Sequence, residues 1–137
     1  MYRCPVCGRR FAKQKQAHSC LATGVDMHFR GKPKELRTLF DHLCRELKKV
    51  GRLRVDAVKT SINLIPKHHM GGVRVLRDRL RVAFLLSRRV ADESIERVDR
   101  ITPNAYLHVV YVAKKTDVTP GLLRLLNEAF VRAVRRE

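Results

Sequence analysis

Between Pro33 and Val50 the apolar residues Leu36, Leu39, Phe40, Leu43, Leu47 and Val50 recur every three or four positions. That spacing lines one face of an α-helix, with Pro33 at its start and Gly51 at its end. Past Gly51 the period falls to two. Arg52 to Val58 alternates polar with apolar, Thr60 to Ile65 does so less cleanly before Pro66, and both stretches predict strands. Lys67 to Gly72 predicts a loop, Val73 to Leu76 a strand, Arg77-Asp78 a tight turn, and Leu80 to Leu86 the strongest strand. A charged loop over Ser87 to Ser94 leads into a weak edge strand, Ile95 to Ile101, and then a Val- and Tyr-rich strand, Tyr106 to Ala113. Thr119-Pro120 caps a last helix whose buried stripe is Leu122, Leu125, Leu126, Ala129, Phe130, Ala133 and Val134. The expected fold is therefore α+β, a two-layer sandwich of an antiparallel β-sheet with N- and C-terminal helices on one face. No strand alternates with a helix as a parallel sheet requires.

Ahead of this pattern, Thr23-Gly24 offers a hinge, and Val25 to Phe29 is a short apolar run leading to Arg30-Gly31-Lys32-Pro33. The chain is expected to divide into a small segment, residues 1–24, and an α+β domain, residues 25–137. At 137 residues it has room for one hydrophobic core and a small appendage.

Charge changes the picture more than composition does. Hydrophobic residues make up 45% and charged residues 31%, an ordinary globular balance that excludes a wholly disordered chain. Thirty Lys and Arg against thirteen Asp and Glu leave a formal charge of +17, which favours polyanionic partners. No run approaches the roughly 20 apolar residues of a membrane helix, and the start of the chain lacks the apolar core of a secretion signal. The expected address is cytoplasmic, with no membrane partner.

Three of the four cysteines fall early, as Cys4-Pro5-Val6-Cys7-Gly8 and His18-Ser19-Cys20, and Cys44 stands apart. A redox Cys-x-x-Cys wants a strand before it and a helix after it, and almost nothing precedes this one. Pro and Gly around the pair suit a tight turn, and His18 with Cys20 completes a tetrahedral donor set for zinc. Cys4, Cys7, His18 and Cys20 are the expected ligands, with His28 in reserve, because His18 and Cys20 are closer than finger-type sites usually allow. Four protein ligands leave no open position, so the expected role is structural. Cys44 borders the first helical stripe and reads as a buried, inert thiol.

Taken in order, the CPxCGRxF start, the HSC that follows, HFxGKP before the helix, KTSINL, DRLRVAFLL and ITPNAYLH resemble a bacterial family. That family is a domain of unknown function preceded by a short zinc-finger-like segment, and the resemblance spans nearly the whole chain. It implies the architecture and a metal knuckle and supplies no catalytic residue. The core is also similar to small double-wing α+β domains suspected of binding nucleic acids.

Catalytic templates fit poorly. Asp56-Ala57-Val58-Lys59 misses the nuclease spacing, no Gly-x-Ser-x-Gly elbow occurs, and Gly71-Gly72 lacks the helix start of a phosphate loop. The candidate anion-binding residues are Arg9, Arg10, Lys13 and Lys15 between the metal ligands, and Lys59, Arg79, Arg81 and His108 among the strands. With Leu80, Val82, Phe84 and Leu86 turned to the core, alternation sends Arg79 and Arg81 to the other face, while His108 shares a face with Tyr106. The expected function is non-enzymatic: a zinc-containing protein that binds nucleic acid or another polyanion. The alternatives are an enzyme for a phosphorylated small molecule, with Lys59, Arg81 and His108 converging, and an adaptor whose knuckle holds a protein partner.

Overall fold

The computed structural model describes residues 24–135 in full, and residues 2–3 and 10–11 in backbone only. Two short strands come first, β1 (Tyr2–Arg3) and β2 (Arg10–Phe11), paired antiparallel with Tyr2 opposite Phe11. Two helices follow, α1 (Val25–Phe29) and α2 (Lys34–Lys48). Six strands then form one antiparallel sheet: β3 (Arg54–Ala57), β4 (Ile62–Ile65), β5 (Gly71–Val75), β6 (Leu80–Leu86), β7 (Ile95–Thr102) and β8 (Ala105–Val112). Helix α3 (Pro120–Arg135) closes the described chain. The expected α+β sandwich of a sheet with N- and C-terminal helices is the fold observed.

The α2 stripe buries Leu36, Leu39, Phe40, Leu43, Cys44 and Leu47, whereas Val50, expected in it, lies past the helix end and is exposed, as is Val134 at the end of the α3 stripe. At the start of α3 the Thr119 hydroxyl accepts the Leu122 N–H at 3.1 Å, the capping bond expected of Thr119-Pro120. Both helices pack on one sheet face, where Ile62, Leu64, Val73, Leu80, Val82, Phe84, Leu86, Val110 and Val112 complete the core. Val25 and Phe29 of α1 pack against the same core, and the Phe29 ring lies 5.4 Å from that of Phe40. A run of five residues is too short to display a helical period, which is why Val25 to Phe29 read only as an apolar segment.

Two further differences from the sequence reading matter. Gly71 and Gly72, expected in a loop, begin β5 and pair with Phe84 and Ala83. The strand order is β3-β4-β5-β6-β8-β7, so β8 inserts between β6 and β7 and the connection after Leu86 must pass across it. The far edge, β7, is bulged at Ile95/Arg97 and at Arg100/Thr102.

Candidate anion-binding face

Register determines which side chains share the face that the helices leave open. Opposed residues of an antiparallel ladder project to the same side. Because Leu80, Val82 and Phe84 point into the core, their neighbours Arg81, Ala83 and Leu85 point outward. Arg81 is opposed by Arg74 on one side and by Tyr111 on the other, which sets Arg74, Arg81 and Tyr111 in one row. In the turn between β5 and β6, closed by the Leu76 N–H on the Arg79 carbonyl at 2.9 Å, the exposed Arg79 reaches over the Tyr111 ring. Its guanidinium carbon lies 4.3 Å from the ring centroid, within cation–π range. Among the described residues no carboxylate lies within ion-pair distance of Arg74, Arg79 or Arg81.

Other arginines are committed elsewhere. Arg88 grips the Glu128 carboxylate with two bonds of 2.9 and 3.1 Å, and Arg37 pairs with Asp26 and Asp41. Arg132 donates to the Ser87 hydroxyl and the Asn104 carbonyl, tying α3 to the ends of the sheet. On β7 Arg97 pairs with Asp99, so among the described residues Arg74, Arg79 and Arg81 remain on the open face without a carboxylate partner.

Next to this row lies a second one, with Asn63 opposite Gly72 and Gly72 opposite Ala83. Because Gly72 has no side chain, a trough of about 390 Å³ opens there. Ala83, Leu85 and Leu107 line its apolar part, Asn63, Thr60 and Ser61 its polar wall, and Arg74 and Arg81 border it. Lys59 is exposed in the turn that carries Thr60 and Ser61, a turn closed by the Val58 N–H on the Ser61 carbonyl at 2.8 Å.

His108 does not belong to this face. It is 0% exposed, on the helix-covered side, in register with Phe84 and stacked on its ring with centroids 5.5 Å apart. Its Nε2 accepts the Val90 N–H at 3.0 Å, and its Nδ1–H donates to the Tyr106 carbonyl at 3.0 Å. Both ring nitrogens are satisfied by the neutral form. Burial lowers the His108 pKa from its ordinary value, with Arg88 and Arg89 adding to the effect; the Tyr106 bond and Glu128 oppose it. His108 therefore pins the connection that crosses β8, and the convergence of Lys59, Arg81 and His108 that the enzyme alternative needs does not form, since Arg81 and His108 project from opposite faces of the sheet.

Cys44 is buried at 7% exposure, and desolvation pushes its thiol up to about 11, as an inert core cysteine requires. The His28 Nε2–H donates to the Val58 carbonyl at 2.7 Å, which fixes α1 to the end of β3. Of the other candidates, Cys4, Cys7, Arg9, Lys13, Lys15, His18 and Cys20 lie outside the described residues, and Arg10 is described in backbone only. Among the described residues no group of three or more His, Cys, Asp or Glu is placed to hold a metal, and no helix is long and apolar enough to cross a membrane.

Sequence reasoning singled out Arg79 and Arg81 but missed Arg74, Tyr111 and the trough. The signal for Arg74 was present, since Val73 and Val75 alternate around it; that for the trough was not, because it depends on register.

Fold and face together define a small α+β domain with one sheet face under helices and the other open and cationic. The chain belongs to the family described as Domain of unknown function (DUF5655), which matches residues 25–132. Comparison with curated proteins finds no match, and comparison with solved structures finds none.

Proposed function

We propose that this protein binds nucleic acid through the open face of its sheet, without catalysing a reaction, and that its N-terminal segment is a zinc knuckle adding basic contacts. One observation carries the binding reading. Arg74 and Arg81 oppose each other across the β5–β6 ladder with no carboxylate among the described residues to neutralise them. Like charges directly opposite cost the sheet stability, and a phosphate held between them relieves that cost. Arg79 on Tyr111 extends the same cationic row, and Lys59 stands at the adjoining turn. The formal charge of +17 supplies long-range attraction for the same ligand.

The zinc reading rests on the donor set Cys4, Cys7, His18 and Cys20, and on the pairing of β1 with β2. The stretch that connects those two strands contains Cys4 and Cys7, and Arg9, Arg10, Lys13 and Lys15 follow them in sequence. Zinc held by these residues would stabilise a segment too short to have a core.

Titrating isotope-labelled protein with a dodecamer of thymidylate tests the binding surface by amide chemical shifts. Shifts concentrated at Arg74, Arg79, Arg81, Tyr111 and their strand neighbours are the expected result. Shifts confined to α2 and α3, or absent at millimolar ligand in low salt, would overturn the reading.

A further inference from the structure

The two glycines that open β5 have different reasons to be glycine. Gly71 adopts φ +154°, and a Cβ there would lie 1.9 Å from the Ala83 carbonyl oxygen, so the backbone and the close strand contact demand it. Gly72 has no such angle. A Cβ there would meet the Ile62 carbonyl oxygen at 3.1 Å and the Asn63 Oδ1 at 3.4 Å, close contacts that oblige those neighbours to give by a few tenths of an ångström. Gly72 faces outward, and what its missing side chain leaves is the trough.

That trough has a floor without side-chain bulk at Gly72 and Ala83, apolar sides at Leu85 and Leu107, and the Asn63 amide at its wall. Among the described residues nothing hydrogen-bonds that amide, which therefore offers a free donor and a free acceptor. At about 390 Å³ the trough sits at the low end of the size range for small-ligand sites. A slot with apolar sides, a polar wall of Asn63, Thr60, Ser61 and His69, and paired arginines at its border matches one chemical unit, a nucleobase attached to its phosphates. In a duplex the faces of the bases are stacked and only their groove edges are open, so a base must leave the stack to enter.

We propose that the Gly72 trough takes one unstacked base of a single-stranded nucleic acid, with the neighbouring phosphates on Arg74 and Arg81. The inference rests on the nucleic-acid reading above and adds to it the class of nucleic acid and a contact to the base itself.

Fluorescence anisotropy on the full chain tests it with two labelled dodecamers of equal charge, one of thymidylate and one wholly abasic. The thymidylate strand should bind about tenfold more tightly, the low range for a base held on a protein surface. Gly72→Val should abolish that difference while leaving the salt dependence of the thymidylate strand intact. Asn63→Leu leaves the backbone untouched and should remove part of the difference, so the test survives a Gly72 variant that fails to fold. Equal binding of the two strands by the unaltered protein would overturn the base pocket while leaving phosphate binding in place. Weak binding of both, unresponsive to salt, would overturn the nucleic-acid reading and the pocket with it.

Discussion

Replacing Arg74 with Glu should make the protein more stable and a poorer binder at the same time. In the native register Arg74 stands directly opposite Arg81, a repulsive cross-strand pair. Arg74→Glu converts it to an attractive one, and directly opposed charges on a sheet are worth about 0.2–1 kcal/mol each way. Arg74 is exposed and Arg81 half-buried, so solvent screening keeps the expected gain to about 1 kcal/mol. That corresponds to a rise of roughly 3–5 °C in Tm, or of roughly 0.5 M in the urea midpoint. Arg52→Glu is the control, since it makes the same change in net charge outside the ladder and reports any general relief of self-repulsion. Urea titrations should show the Arg74 variant ahead of the control at low salt. The advantage should shrink at about 1 M salt, where the screening length falls to roughly 3 Å. A variant no more stable than the control at low salt, or an advantage indifferent to salt, would refute the reading of Arg74 and Arg81 as an unneutralised pair.

Three more outcomes are expected. The pKa of His108 is lowered on folding, so the unfolded chain binds more protons as pH drops below about 6.5; its stabilising contribution is complete above that pH and is lost as pH falls toward the lowered native value. Urea midpoints should accordingly be lower at pH 5.5 than at pH 7.5, and His108→Leu, which removes the acceptor of the Val90 N–H at a cost of about 1–3 kcal/mol, should narrow that gap; an unchanged gap would contradict the assignment. Cys44, buried and pushed up to about 11, should resist iodoacetamide at pH 8 in the native protein and react in urea, as read by peptide mass mapping. Metal analysis should find one zinc per chain, lost in Cys7→Ser, and chelation should leave the circular dichroism of the helices and sheet largely intact, because their core lies within residues 24–135.

What could be read in advance followed the range of the forces involved. The α2 and α3 stripes and strands β6 and β8 are legible because each pattern is carried within one element, by Leu36 to Leu47, Leu122 to Ala133, Leu80 to Leu86 and Tyr106 to Val112. Gly71 and Gly72 read as loop because residues without side chains carry no alternation; only the strand pairing with Ala83 and Phe84 reveals them as sheet. His108 read as a candidate anion-binding residue because its partner, Val90, reaches it by a connection passing across β8, and strand order is not a local property. The open face was half legible. Alternation gave the outward direction of Arg81, but its opposition to Arg74 and Tyr111 is a matter of register between strands.

The salt dependence of affinity for a single-stranded dodecamer tests the central claim most directly. On a single strand each phosphate contact contributes about 0.7 to the slope of log affinity against log salt. Combining Arg74→Gln with Arg81→Gln should flatten that slope by about 1.4, whereas combining Arg45→Gln with Arg124→Gln, on the helices, should leave it as it was. An unchanged slope in the sheet variant, or an equal loss in the helical one, would contradict the account.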